Sequence, residues 1–436
     1  MSRTSRGALA VGLSVALWLP VTAWAQDKAT DNLIKFYQSR AAADPENFFA
    51  FNRLAGAYIQ KARESGDLTY YDLAEKAIRR SLDLLSDVPA ATPAMVYLAT
   101  VEFARHRFRE AAKEAQRTLD LNPLEVSAYG VLGDAAFEMG EYDRAEAAYA
   151  KLLNVMGVRH PHNRLGALQL IRGQPQVAIE AFRRAVRAAT EANVSRENVA
   201  WHHAQLADVY FQVGDLGAAE TSYESALASF PNYHRALAGL AKVRAGQKRY
   251  EDAIAFYQQA IGVIPLPDYA AALGDVFTRL GRGVDARKQY DLVEYIGHLS
   301  AINKTVYNRE LALFYADHDL KPAVAVDLAR KELDVRRDIY TYDVLAWALL
   351  KNGEPRQALA EMQQALRLDT RDARLYFHAG MIYDRLGQRD KARDYLRRCL
   401  ATNSHFHVLH AEVAERVLAQ LDTSAAAPGG RVAPRP

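Results

Sequence analysis

An apolar residue followed at once by a small one recurs along this chain. The pairs are Leu98-Ala99, Leu132-Gly133, Leu165-Gly166, Leu206-Ala207, Leu240-Ala241, Leu273-Gly274, Leu345-Ala346 and Ala379-Gly380. Thirteen residues after the first member of each pair stands an alanine: Ala111, Ala145, Ala178, Ala219, Ala253, Ala286, Ala358 and Ala392. Most of these alanines recur about every 34 residues, a period that marks a stacked repeat. Each period predicts a helical hairpin in which two small residues let paired backbones approach closely. Glycines at 140, 214, 281, 353 and 387 fall where the hairpin must turn. Pro123, Pro231 and Pro265 end second helices, because proline cannot continue a helix and restrains the residue before it. A large residue four after the alanine (Tyr149, Phe182, Tyr223, Tyr257 or Tyr290) is expected to fill space toward the next unit. One hairpin cannot bury its apolar faces alone, so the units must stack into a continuous core.

Irregular units interrupt the lattice. Leu54-Ala55 opens a unit whose small alanine is Ala74, so residues 61–70 add a turn or two of helix and loop. Residues 190–198 and 294–304 lengthen two connections, and the unit at Leu311-Ala312 carries one extra residue before Ala325. Residues 31–43 predict a lone second helix closed by Pro45, and residues 407–421 a solvating cap helix. The tail from 422 to 436 is rich in Pro, Gly and Ala and is expected to be disordered.

Gly133-Asp-Ala-Ala136, Gly140-Glu-Tyr142, Ala145, Tyr149 and, in another unit, Ala226 with Pro231 resemble the signature positions of the tetratricopeptide repeat family. The likeness extends from about residue 30 to 421, and the usual first-helix Trp is mostly replaced, with Tyr129, His203 and Tyr376 in that slot. This resemblance implies an all-α fold, a right-handed α-solenoid of about ten two-helix units spanning 26–421. It also implies a concave surface lined by first helices that receives a peptide or a partner's helix. Counted along those helices, the candidate groove residues are Phe49, Asn52, Phe103, Asp134, Phe137, Trp201, Asp208, Phe211, Asp275, Arg309, Tyr340, Asp343, Trp347 and Phe377. Aromatics beside carboxylates suit a ligand with apolar anchors and some positive charge. Asp134, Asp208 and Asp275 share one slot; they form either a ladder for basic side chains or hydrogen bonds within the array. Asp and aromatics also occupy the slots where some family members carry a Lys/Asn clamp for a terminal carboxylate, which argues against that mode.

The first 25 residues depart from the pattern. Arg3 and Arg6 precede an apolar run from Ala8 to Val21, and Ala23-Trp-Ala25 follows, the layout of a secretory signal peptide cleaved after Ala25. The run is short for a bilayer span and contains Pro20, so a soluble exported protein, periplasmic or secreted from a bacterium, is the expectation. There is no Cys at the cleavage site for a lipid anchor and no paired arginines of the twin-arginine type. Asn193-Val-Ser195 and Asn303-Lys-Thr305 match glycosylation sequons, relevant only in a eukaryotic secretory route.

Composition adds constraints. The 436 residues contain a single Cys, Cys399, so no intramolecular disulfide forms and stability must come from packing. Formal net charge is +3, falling to +1 without Arg3 and Arg6, too little for the basic field of a nucleic-acid binder. HExxH, GxSxG and phosphate-loop motifs are absent from the sequence, no cofactor fingerprint is found, and Gly281-Arg-Gly283 belongs to a repeat turn. The reading is therefore a non-catalytic scaffold for a protein or peptide partner. A cell-envelope polysaccharide or peptidoglycan adaptor would use the same aromatic-plus-acid lining. A third alternative is a metal handler built on His405, His407 and His410, of which the last two share a helix face. No Cys or carboxylate completes their set at familiar spacing; His160-Pro-His162 and His202-His203 are smaller groups of the same kind.

Overall fold

The computed structural model describes residues 21–85, 88–156, 162–192, 194–302 and 308–426. Most of the expected signal segment, the asparagine of each sequon, His160 and the tail beyond 426 lie outside them. Among the described residues there are 22 α-helices, one short 3₁₀ turn and no strand. Helix α1 (Val21–Ala43) precedes ten hairpins. The first five pair α2 (Phe48–Ser65) with α3 (Thr69–Leu84), α4 (Thr92–Ala104) with α5 (Phe108–Leu121), α6 (Val126–Glu138) with α7 (Tyr142–Met156), α8 (His162–Ile171) with α9 (Pro175–Glu191), and α10 (Arg196–Gln212) with α11 (Leu216–Ser229). The next three are α12 (His234–Gly246) with α13 (Tyr250–Val263), α14 (Pro267–Arg279) with α15 (Gly283–Ile302), and α16 (Asn308–Asp317) with α17 (Pro322–Val335). Then follow α18 (Ile339–Lys351) with α19 (Pro355–Ala365), α20 (Ala373–Arg385) with α21 (Arg389–Thr402), and a closing helix α22 (His410–Ala426).

The alanine lattice is the spine of this array, and all eight of its alanines are buried. The large residue four positions on reaches the next unit as expected, Tyr290 packing on Phe314 and His318, and also does more. Tyr149 and Tyr290 lie over the glycine of their own hairpin, where a Cβ on Gly133 or Gly274 would meet the ring at 2.3 Å. Tyr223 instead presses on Gly239 of the next first helix, at 2.2 Å from its hypothetical Cβ. The aromatic therefore locks hairpins internally as well as to their neighbours, and each such ring withdrawn from water contributes about 1.5–3 kcal/mol.

Surplus residues become helix rather than loop: α2 runs on to Ser65, and α15 extends over 20 residues to Ile302. Helix α22 starts three residues later than expected because His407 caps it, its Nδ1 accepting from the backbone N–H of Leu409 and His410 at 3.2 and 3.3 Å. It also runs past 421 to Ala426, as an alanine-rich end favours.

The array coils until its second turn rests on its first. Tyr142 Oη accepts from the backbone N–H of Ile339 at 3.1 Å, 197 residues away. Arg336 reaches Glu138 at 3.0 Å, and the Thr370 hydroxyl donates to the Ile171 carbonyl. Gln212 donates to the Arg371 carbonyl at 3.1 Å, and Asn403 to that of Phe211 at 2.7 Å. Hairpin turns of the first coil thus meet connections of the second. Gly140 (φ 73°) shows why this needs glycine: its backbone is left-handed, and a Cβ there would stand 2.2 Å from the Arg337 carbonyl oxygen. One core cluster joins Tyr142, Tyr149 and Ile171 of the first coil to Trp347, Phe377 and Leu396 of the second.

A candidate partner-binding lumen

Coiling places the first helices inside. Two chambers result, of about 590 and 800 Å³, a size that suits ligand clefts. The smaller is walled by first helices from α10 to α20 and by the segment leading into α22. The larger is walled mainly by α4, α6, α8 and α10. Arg235, at the start of α12, borders both.

Eight of the candidate groove residues reach this lumen. Phe103, Asp134 and Trp201 line the larger chamber; Asp208, Phe211, Asp275, Arg309 and Tyr340 line the smaller. The others do not line either chamber. Asn52, Asp343, Trp347 and Phe377 are buried, and Phe137 is half-buried in an edge contact with Tyr142. Phe49 is exposed near the N-terminal end, under the Arg53 guanidinium. The physical reason at the C-terminal end is that the chain fills its own groove. His378 stacks on Trp347 at 4.3 Å, and His410 stacks on Phe377 at 4.9 Å.

The aspartate slot is satisfied from within. Asp134, Asp208 and Asp275 each accept from the tyrosine 15 residues later, Tyr149, Tyr223 and Tyr290, at 3.0, 2.5 and 2.8 Å. Where the hairpin carries Ala167 in place of Asp, its partner is Phe182, with no hydroxyl to place. Asp134 also holds Arg164 through two bonds of 2.7 Å. Asp275 is the most engaged, with His318 Nε2 at 2.7 Å and His407 Nε2 at 3.3 Å. Burial opposes its ionisation, but those two histidines outweigh burial and hold the carboxyl well below the usual carboxylate range. Of the three, Asp208 is the most open to solvent, with Lys242 3.7 Å away.

Sequence reasoning passed over a set of charged groups on the lumen wall. Arg235 faces the lumen and, among the described residues, makes neither a hydrogen bond nor an ion pair. Asp268 stands in the equivalent slot of the next first helix, one repeat further along; burial and then the nearby Glu310 raise its pKa. Glu310 itself has a buried carboxylate oxygen without a hydrogen bond. The signal that could have found these residues is position: both lie five before the Leu-small pair, as do Trp201 and Tyr340.

Cys399 is fully buried, and burial pushes its thiol pKa up, so it is an inert core group. The histidine cluster is rearranged: His405 leaves it to pack beside Gly246, while Asp317 joins His407 and His410. No described helix is long and apolar enough to cross a membrane.

Comparison with known proteins places the repeats independently. Family models described as tetratricopeptide repeat match residues 98–161, 204–270 and 344–404, and a second model of that description matches 158–232, together more than half the chain. No curated protein matches the sequence. Among solved structures, the chain is similar to yeast Tom70 at 13% identity, covering 93% of this chain and 97% of that one with a TM-score of 0.38. A tetratricopeptide repeat protein from Parabacteroides merdae matches at 16% identity over 60% of this chain and 97% of its own, with a TM-score of 0.35. The APC/C hetero-tetramer Cut9–Hcn1 matches at 14% identity, 92% and 94% coverage and a TM-score of 0.33.

Proposed function

The chain belongs to the tetratricopeptide repeat family, and from that premise we propose that it is an exported, non-catalytic scaffold that holds an extended segment of a partner polypeptide in its lumen. The observation that carries this reading is the pair of opposite luminal charges, Arg235 and Asp268, in one slot of successive first helices. Both side chains are exposed to solvent, so they can pair with a charged ligand without giving up an existing ion pair, and charges set this way fix the register of a partner. Phe211 and Trp201 offer apolar contact beside them. Packed helices lie about 8–10 Å apart and an extended chain advances about 3.3 Å per residue. The partner segment therefore carries an acidic and a basic side chain about three residues apart.

Fluorescence anisotropy with peptides carrying Glu and Lys at that spacing, in both orders, beside all-acidic, all-basic and neutral peptides, tests the reading. Saturable binding of one mixed-charge order is expected, weakened about fivefold or more by Arg235→Ala or Phe211→Ala. Equal binding by the variants, or no peptide binding at all, contradicts it. Export rests on the N-terminal pattern of Arg3, Arg6, the apolar run and Ala23-Trp-Ala25. The protein recovered from the cell envelope is expected to begin at Gln26; intact chain retained inside the cell contradicts export.

A further inference from the structure

The floor of the smaller chamber brings together residues that the sequence keeps far apart. Asp317 ends α16, His407 caps α22, and His410 opens it; one ligand atom from each lies within 4.8 Å of the others. Asp275 from α14 and His318 stand directly behind them.

His410 is 8% exposed, and among the described residues its ring makes no hydrogen bond. Its Nδ1 stands 4.0 Å from Asp317 Oδ1, too far for a hydrogen bond. A tetrahedral zinc ion holds ligands about 2.0–2.2 Å away and so roughly 3.3–3.6 Å from each other, and a small inward shift of the two side chains brings this gap to that span. Asp317 is already oriented, since Oδ1 accepts from Trp347 Nε1 at 2.8 Å.

His407 is in a matching state. Because its Nδ1 accepts backbone N–H groups, its proton sits on Nε2, which faces Asp275 Oδ2 at 3.3 Å. A carboxylate holding one ring nitrogen while the other presents a lone pair is the usual arrangement behind a metal-ligating histidine. An ion taking that lone pair displaces two long capping bonds, of 3.2 and 3.3 Å. Asp275 is itself fixed by Tyr290 and His318.

We propose that Asp317, His407 and His410 bind one divalent transition-metal cation of the zinc type, with Asp275 and His318 as the supporting shell. Two imidazoles with one carboxylate favour zinc, cobalt, nickel or copper over calcium or magnesium. The remaining coordination position opens on the chamber, where water or a partner's side chain completes the set. The ion ties the start of α22 to α16 and so clamps the C-terminal end of the coil.

Calorimetric titration of Zn²⁺ into the metal-free full chain tests this, read beside the thermal midpoint and helical circular dichroism. One ion per chain is expected, with a raised midpoint because the ion binds only the folded form. Asp317→Asn, which keeps an acceptor for Trp347, and His410→Gln should each weaken binding about tenfold or more, and His405→Ala should leave it unchanged. Should His410→Gln lose its helical signal, Asp317→Asn decides. Co²⁺ in place of Zn²⁺ should give a visible ligand-field band in the wild-type chain that is lost with Asp317→Asn. Absence of stoichiometric binding, or binding equal in wild type and Asp317→Asn, overturns the site.

Discussion

The stretch from α6 to α13 and the N-terminal stretch from α1 to α5 are built from the same hairpin, yet they are held differently. The former is roofed by the second coil. Arg336, Ile339, Thr370 and Asn403 arrive from hairpins far down the chain, and residues of both coils share a core. The N-terminal stretch has its own cluster around Ile34, Tyr58 and Ile78, and leaves Leu33, Phe36, Phe49, Leu68 and Leu73 exposed. Its long-range ties are few, chiefly Arg63 to Glu197 at 3.1 Å, Gly66 against Ile264 and, at its end in α5, Phe108 beneath Arg336 and beside Val335. A repeat array usually owes its stability to neighbours alone. Here the neighbour rule describes one region, and closure of the coil adds a second layer of contacts to the other.

The sharpest way to break this contrast is at the ion network of the seam. Arg336 is almost wholly buried between Glu332 and Glu138, and Arg336→Met strands the fully buried Glu332. A loss of about 3–5 kcal/mol is expected in urea unfolding, against well under 1 kcal/mol for Lys331→Ala in its exposed pair with Asp327. Equal effects would mean that this buried network contributes no more than an exposed pair. A comparison of glycines sharpens the point. Gly140 and Gly281 both adopt positive φ, but only Gly140 meets the opposite coil. Gly281→Ala should cost about 1–2 kcal/mol from left-handed strain. Gly140→Ala should cost about 3 kcal/mol, since backbone must also move. Phe49→Ala, at an exposed N-terminal position, should change stability by about 0.5 kcal/mol or less. Hydrogen exchange gives the last reading: the Ile339 amide, bonded across the seam, should exchange only on global opening, while α1 to α3 exchange earlier.

The hairpins were legible because small residues and their spacing encode close helix packing locally. Ala111 through Ala392, the turn glycines and the three helix-ending prolines stand where the pattern put them. Coil closure was not legible, because it depends on small rotations between units summed over many successive hairpins. Coil closure explains why Asp317 and Asp275 could not be assigned to the C-terminal histidines: they lie on α16 and α14, several helices upstream. Trp347 and Phe377, correct as first-helix positions, are covered for a nearer reason, by His378 and His410 of the unit that follows each. The aspartate slot was recognised, but its tyrosine partner 15 residues on was not, although the exchange of Asp-Tyr for Ala167-Phe182 was present in the sequence.

Luminal binding is tested most directly by a photo-reactive amino acid placed at Phe211, inside the smaller chamber, and at Tyr295, on an exposed face of α15. With the best mixed-charge peptide bound, irradiation should give a covalent adduct from position 211 and none from 295. An adduct from 295 alone would contradict binding in the lumen.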